Sequence, residues 1–501
     1  VVLDPRACYR ALQTRDERFD GRLFVGVTST GIYCRPVCPA RPPKPEHCRY
    51  FPSAAAAAQA GFRPCLRCRP ETAPEMGSWR GTSNTVTRGL ALIAEGALDD
   101  DGASVETLAE RLGVGARQLR RLFDQHLGAS PVAVAQTRRV LFAKQLIQET
   151  RLPMGEVALA AGFGSIRRFN ETFRDLFQRP PSALRRKTTG AKEVSFEGRG
   201  VTVRLRYRPP YDWAAMMSYL RARAVDGVEH VDGSVYTRTL LQDGQPTTVE
   251  VSTLPDARSL AVTVRGRHVG VLPGVVARVR RAFDLGADVA VIGAHLACDP
   301  WLAPLVEQRP GLRSPGGWDG FELAARAVLG QNVSVEAGRR LLGRLVELCG
   351  APLPAPPGGS LHRLFPTPAR VAAADLSGLG VPGARREALL TVARAALADG
   401  SLFDPCGTVD GTVARLRALR GVGDWTAQYI ALRAAREPDA FPASDAVLLR
   451  SVPSPRGKKP TPHELRERAE RWRPWRAYAA QHIWTAAGAP GAARKDEVRH
   501  A

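Results

Sequence analysis

Six of the nine cysteines in this 501-residue chain fall within its first 68 positions (8, 34, 38, 48, 65 and 68). Four of them make two close pairs, Cys34-x3-Cys38 and Cys65-x2-Cys68, separated by 26 residues. Each pair can place two thiolates on one metal, and two pairs complete the closed tetrahedral set that Zn²⁺ prefers. In a reducing compartment such a cluster reads as metal binding before disulfides. The spacing does not separate a structural site from a reactive one. Cys8, Cys48 and His47 are extra and read as structural or incidental.

The remaining cysteines (298, 349 and 406) are scattered, so the metal feature is confined to the N-terminal end of a chain long enough for three or four domains. No run approaches the roughly 18 apolar residues of a membrane span. Val1-Val2-Leu3-Asp4 lacks the basic-then-apolar pattern of a secretion signal, so a cytoplasmic protein is expected. The formal net charge is +22, and it is spread along the chain: 13 basic against 7 acidic residues in 1–80, 17 against 11 in 81–192, and 41 against 31 beyond. A basic tail is thereby excluded, and each segment can face a polyanion. Of the cations 64 are Arg, the residue suited to bidentate phosphate contacts, although a GC-rich genome produces the same bias.

A stretch rich in Pro, Gly and Ser, from Pro70 to Asn84, reads as a linker, and Lys187-Thr-Thr-Gly-Ala-Lys192 as a second. Between them the pattern is helical and weakly duplicated. Leu108-Ala109 with Gly113 recurs as Val157-Ala158 with Gly162, and Leu119, Phe123, Leu127 and Pro131 recur as Phe169, Phe173, Phe177 and Pro181. Each unit predicts a short helix, a glycine turn and a second helix, with the phenylalanines in the core. Strand-like runs follow (Val201–Tyr207, Thr248–Ser252), and after about residue 272 the pattern is helical, broken by loops at 352–360 and 454–461.

The residues around the cysteines are more specific than their spacing. Gly26-Val-Thr-Ser-Thr-Gly-Ile-Tyr-Cys34-Arg-Pro-Val-Cys38, followed by Ala60-Gly-Phe-Arg-Pro-Cys65-Leu-Arg-Cys68-Arg-Pro, resembles the N-terminal methyl-phosphotriester repair domain of Ada proteins. The resemblance implies that Cys34 accepts a methyl group from a DNA phosphotriester, that Cys34, Cys38, Cys65 and Cys68 hold one Zn²⁺, and that methylation promotes DNA binding. Arg35, Arg63 and Arg67 are then the expected phosphate contacts. Residues 85–187 resemble the AraC-type DNA-binding domain, which implies recognition helices at Ala116–Gln125 and Ser165–Phe177. Gln118, Arg120, Arg121, Arg167, Arg168 and Asn170 become the expected readers of base or phosphate.

In the C-terminal half, Leu419-Arg-Gly-Val-Gly-Asp-Trp-Thr-Ala-Gln-Tyr429 has a Gly-x-Gly turn opening a helix, an anion-binding geometry that an ordinary helix hairpin shares. Asp445 is a lone acid in an apolar run, which is most simply a helix N-cap. Together they resemble the helix-hairpin-helix glycosylases. Tyr207-Arg-Pro-Pro-Tyr-Asp-Trp213, Ala327-Val-Leu-Gly-Gln-Asn-Val-Ser334, Trp472-Arg-Pro-Trp-Arg-Ala-Tyr478 and His482-Ile-Trp484 are similar to the AlkA-type 3-methyladenine DNA glycosylase II. That resemblance implies Asp445 as catalytic carboxylate and Gln331 and Asn332 on the loop that fills the gap left by a flipped base. It also implies Gly421, Gly423 and Thr426 as the phosphate-binding hairpin. Trp425, Tyr429, Trp484 and Tyr219 are expected to line a pocket in which aromatic faces attract a cationic alkylated purine.

Departures narrow the expectation. Trp425 stands where bifunctional relatives carry a Lys, so lyase chemistry is not expected, and no Cys follows Cys406 to build an iron–sulfur cluster. Asn332 replaces a familiar apolar wedge. The Pro-Cys-His-Arg site of Ada's second transferase is absent, since Cys406 lies in Pro-Cys-Gly.

The expected architecture is multidomain, mainly α with smaller α+β parts. It comprises an α+β zinc domain (1–75), a double helix-turn-helix (84–187), an α+β AlkA-type lobe with the start of a helical region (193–305) and a helix-hairpin-helix glycosylase domain (306–490). The expected protein is a monomeric, nucleoid-associated repair enzyme and activator. Its expected partners are alkylated double-stranded DNA, promoter DNA and RNA polymerase. The alternative is a DNA-binding regulator with a structural zinc site and an inactive glycosylase half.

Overall fold

Capping residues and strand register set the local geometry in a computed structural model of the chain. It describes residues 3–74, 84–99, 103–185, 196, 200–353, 360–405, 408–453 and 459–488. The linker at 187–192, Cys406, and most of the loops at 352–360 and 454–461 lie outside the described residues. The chain divides into two compact units, 1–207 with 241–277 and 208–240 with 278–501. No described helix is long and apolar enough to cross a membrane.

In the first unit, helix α1 (Pro5–Gln13) starts at Asp4, whose carboxylate accepts from the N–H groups of Arg6 and Ala7. Strands β1 (Phe24–Val27), β2 (Ile32–Cys34), β3 (Cys48–Phe51) and β4 (Arg63–Pro64) form a sheet in the order β3-β1-β2-β4. β1 pairs antiparallel with β2 and β3, while β4 runs parallel to β2 with Tyr33 opposite Pro64. Helix α2 (Ala54–Gln59) is capped by Ser53.

Six helices follow: α3 (Asn84–Ala94), α4 (Val105–Arg111), α5 (Ala116–Leu127), α6 (Pro131–Glu149), α7 (Met154–Ala160) and α8 (Ile166–Phe177). The pairs α4–α5 and α7–α8 are the two copies of the repeat, and α6 joins them. Ser104, Ser130 and Ser165 cap α4, α6 and α8. Leu119, Phe123 and Leu127 on α5, and Phe169, Phe173 and Phe177 on α8, recur at i, i+4 and i+8 and are buried, so each second helix turns one apolar stripe inward. Its opposite face carries exposed polar and charged side chains.

Five further strands are β5 (Val201–Arg206), β6 (Glu229–Asp232), β7 (Val235–Gln242), β8 (Gln245–Leu254) and β9 (Ser259–Arg265). In the first unit β9 pairs antiparallel with β5 and β8. Val201, Val203 and Leu205 point inward along β5, alternating with exposed residues as a period of two requires.

The second unit holds helix α9 (Trp213–Arg223), the β6–β7 hairpin and the helices after residue 278. A buried charge network ties them together. Arg238 pairs with Glu322 at 2.8 Å, and Arg326 with Glu229 at 2.6 Å and Glu322 at 2.8 Å, while the Tyr236 hydroxyl donates to Glu229 at 2.6 Å. Breaking one partner of such a set leaves an unpaired buried charge, which costs about 3–5 kcal/mol.

Candidate metal centre and candidate active site

Parallel pairing of β2 with β4 explains how distant cysteines meet. With Tyr33 opposite Pro64, Cys34 and Cys65 occupy neighbouring strand ends, and short turns bring in Cys38 and Cys68. All four Sγ atoms lie within 4.8 Å of one another. The backbone N–H of Arg35 donates to Cys68 Sγ and that of Arg67 to Cys65 Sγ, both at 3.3 Å, which spreads negative charge off the sulfurs. With no cation in the site, hydrogen bonding from Cys38, then from Cys65 and Cys68, with burial added, holds the Cys34 thiol far above the ordinary thiol range. Four thiolates at this spacing demand a cation, and an all-sulfur donor set fits Zn²⁺. Cys38, Cys65 and Cys68 are buried, whereas Cys34 is only half-buried.

Arg35 corrects the reading of it as a DNA contact. It is 3% exposed, and its guanidinium pairs with Asp20 and donates to the Cys68 carbonyl (2.9 Å) and the Thr72 hydroxyl (2.8 Å). It braces the metal loop from within. Arg67 is exposed and Arg63 half-buried. The linker beginning at Pro70 also needs correction, because Pro70, Glu71 and Thr72 are buried against the metal module. Residues 75–83 of that linker lie outside the described residues.

Sequence reasoning missed what Glu71 does. Its carboxylate meets Lys144 of α6 at 2.6 Å and Arg69 at 3.0 Å, and Lys144, fully buried, also donates to the Cys65 carbonyl at 3.0 Å. Arg69 reaches Glu149 at the end of α6 at 2.9 Å. The metal loop is therefore bonded directly to the helix that joins the two helix-turn-helix units. Lys144 directly after the apolar run Val140-Leu-Phe-Ala was the only signal in the sequence. On the outer faces of those units, Gln118, Arg120, Arg121, Arg167 and Arg168 are exposed and Asn170 is half-buried. Arg120 pairs with Glu106 and Arg167 with Glu171, so their guanidinium groups are already oriented.

In the second unit a cleft of about 1310 Å³ gathers Tyr219, Gln331, Trp425, Tyr429, Asp445 and Trp484. Asp445 is both a cap and a focus of donors. As N-cap of the helix Ala446–Ser451 its Oδ1 accepts from the N–H groups of Val447 and Leu448, both at 3.0 Å. The indole N–H of Trp484 reaches Oδ1 at 3.0 Å and that of Trp425 reaches Oδ2 at 2.8 Å. Four donors thus fix one carboxylate at the wall of an aromatic cleft. Trp425 stacks on Tyr429 (5.2 Å, 12°), and Trp484 meets Tyr429 edge-on at 6.3 Å.

The glycine turn lies beside this carboxylate, between the helices Val409–Arg417 and Asp424–Arg433. Gly421 has φ +87°, and a Cβ there would lie 2.4 Å from that of Ala388, so only glycine fits. Gly423 is different: a Cβ there would meet nothing within 4 Å, and no side chain caps the helix it begins. Gln331 braces the turn, its amide donating to the Gly421 carbonyl at 3.2 Å and to the Thr426 hydroxyl at 2.8 Å, while Thr426 itself is buried. Asn332 is exposed at the loop tip with φ +55°, a left-handed conformation that Asn accepts more readily than a β-branched wedge.

A further group in the cleft was not singled out from the sequence. Arg433 is 1% exposed and places its guanidinium carbon 5.1 Å from the Tyr219 ring centroid, 5.7 Å from that of Tyr429 and 5.4 Å from that of Trp484. Trp425, Tyr429 and Arg433 stand at i, i+4 and i+8 of one helix, so the spacing that puts the rings on one face puts the cation there too. Burial opposes ionisation of the Tyr219 hydroxyl, yet Arg433 and then Arg223 pull it down to about 8.

Sequence models of three families match the chain: the metal binding domain of Ada over residues 7–71, a helix-turn-helix domain over 108–187 and the AlkA N-terminal domain over 202–319. The chain is 43% identical over 486 residues to the probable bifunctional transcriptional activator/DNA repair enzyme AlkA of Mycobacterium tuberculosis (strain H37Rv), covering 96% of each. It is 38% identical over 289 residues to DNA-3-methyladenine glycosylase 2 of Escherichia coli K12, covering 57% of this chain and 97% of that one. A 3-methyladenine DNA-glycosylase from Archaeoglobus fulgidus shares the fold over 56% of this chain and 96% of its own, with a TM-score of 0.50 at 19% identity. The four clustered cysteines are one Zn²⁺ site of the Ada type. With that site, two helix-turn-helix units and a glycosylase fold in one sequence, the chain belongs to the AlkA-type family of bifunctional transcriptional activator/DNA repair enzymes.

Proposed function

We propose that the second unit hydrolyses the N-glycosidic bond of N-alkylated purines in DNA, 3-methyladenine above all, without lyase activity. The observation that carries this reading is the Asp445 carboxylate, fixed by two indole N–H groups and two backbone N–H groups at the wall of an aromatic cleft. As the bond to C1′ breaks, positive charge develops on the sugar, and a preorganised carboxylate is the group that stabilises it. Gly423 and the uncapped helix start beside it suit a backbone phosphate, and Gln331 holds that turn in place. The flipped base would stack among Trp425, Tyr429, Tyr219 and Trp484. Release of 3-methyladenine from alkylated duplex DNA tests the reading. The intact protein is expected to release it and Asp445→Asn to lose roughly 10²–10³-fold in single-turnover rate; no release by the intact protein refutes it.

In the first unit the proposed reaction is irreversible methyl transfer from a DNA methyl phosphotriester to Cys34. With zinc bound, the four sulfurs are thiolates at neutral pH. Cys34 is the one ligand with partial access. Its sulfur attacks the methyl carbon, the S–C bond forms as the C–O bond breaks, and the electron pair stays on the phosphate, which leaves as an anionic diester. The thioether is neutral, so the site loses one negative charge and repels an intact phosphate less. Methylation thereby strengthens promoter binding and permits activation through RNA polymerase. Mass spectrometry after incubation with methylated DNA should find one added methyl on Cys34, and none in Cys34→Ser.

A further inference from the structure

The aromatic cleft already contains a cation. Among the described residues every hydrogen-bond partner of the Arg433 guanidinium is neutral: Nη1 donates to the Pro315 carbonyl at 2.8 Å and the Ser314 hydroxyl at 3.4 Å, and Nη2 to the Gln481 side-chain oxygen at 2.7 Å. Its Nε is buried with no partner. The full positive charge therefore acts on the Tyr219, Tyr429 and Trp484 rings, within cation–π distance of all three. A ring that already faces one cation attracts a second less, and the two cations repel directly in a partly dehydrated site.

We propose that Arg433 is a specificity-determining residue that sets how the enzyme ranks cationic against uncharged bases. This rests on the glycosylase reading above. Cleavage sends the electron pair of the C1′–N bond to the base, and the oxygen of water takes its place on C1′. An N-alkylpurinium leaves as a neutral purine and the proton of water is released to solvent; an uncharged purine gathers negative charge as it leaves and takes up that proton. The guanidinium field weakens binding of the cationic base, yet favours the loss of its charge in the transition state. For the uncharged base the same field stabilises the developing negative charge and does not weaken binding. Arg433 thus trades ground-state affinity for turnover with cationic lesions and extends the enzyme toward neutral ones.

The test uses the full-length zinc-loaded protein, single-turnover kinetics and two duplex probes, one carrying 7-methylguanine and one carrying hypoxanthine. Arg433→Met should raise kcat/KM for 7-methylguanine while lowering its kcat, and should lower both constants for hypoxanthine, so that the ratio of the two kcat/KM values shifts by roughly tenfold or more. Gln481→Glu sets a carboxylate against the intact guanidinium and should shift the ratio in the same direction, which guards against misfolding of the Arg433 variant. Arg433→Lys should keep the wild-type ranking. Equal losses on both probes, a shift in the opposite direction, or release of 7-methylguanine but no hypoxanthine by the wild type would overturn the proposal. Release of neither base by the wild type would instead overturn the glycosylase reading on which it rests.

Discussion

The metal centre and the cleft both concentrate electron-rich atoms and hold them with N–H donors, but they are assembled in different ways. The four sulfurs come from within 35 residues, in two turns brought together by one parallel strand pair. The cleft's carboxylate, rings and brace come from Tyr219, Gln331, Trp425, Asp445 and Trp484, which are spread across more than half of the chain's length and several helices. A site made by local spacing depends on its metal. A site made by tertiary packing depends on the core beneath it, and its electrostatics are set by residues that local patterns do not flag.

The largest effect should come from removing zinc. Structural zinc contributes apparent binding energies of about 10–16 kcal/mol, so chelation should unfold residues 3–74 while base release persists. Circular dichroism and the glycosylase assay on one sample check this; loss of both together would erase the contrast between the regions. Next is Lys144→Met, which leaves Glu71 buried and short of a partner. It should destabilise the first unit by about 3–5 kcal/mol, measured by denaturant unfolding, and reduce the gain in DNA affinity on methylation. Unchanged stability would mean that α6 does not depend on the metal loop.

A pH effect should mark the second unit. His482 is 6% exposed, and burial pushes its imidazole down to about 4. Its folded value lies below its unfolded one, so the unfolded chain takes up the proton first as pH falls. The stability tied to neutral His482 is complete above about pH 6.5, falls as pH drops toward 4 and is flat below, with a total of roughly 3 kcal/mol. His482→Asn should flatten that slope, as seen in thermal melts of the catalytic unit between pH 7 and 4. The smallest effect belongs to Trp484→Phe, which keeps the ring and removes one donor to Asp445. A hydrogen bond to a charged group contributes about 1.5–3 kcal/mol, so a roughly 10- to 100-fold slower single-turnover rate is expected if that bond acts fully in the transition state. A larger loss on replacing the ring altogether would separate orientation of the carboxylate from stacking of the base.

The sequence by itself determined the features carried by short-range pattern. The cysteine pairs pointed to a metal, which the clustered sulfurs fit, the duplicated Leu/Phe stripe pointed to two helix pairs, which the fold contains, and the Gly-x-Gly turn with Asp445 pointed to the end of the molecule where the aromatic cleft lies. These survive folding because they need only near neighbours: a strand end, a helix face, a tight turn. The tertiary structure decided which charges face outward. Arg35 and Arg67 flank the same cysteine cluster in similar contexts, yet Asp20, fifteen positions upstream, draws Arg35 into the interior while Arg67 stays exposed. Lys144 became a bridge because Glu71, distant in the chain, needed a cation in a buried place. Arg433 became a buried cation of the cleft because Ser314, Pro315 and Gln481 supply uncharged acceptors for its Nη atoms, while its Nε has none. Charge has no periodicity that reveals its partner: a cation is buried or exposed according to what the fold brings within about 4 Å of it, and that is settled only when distant segments pack.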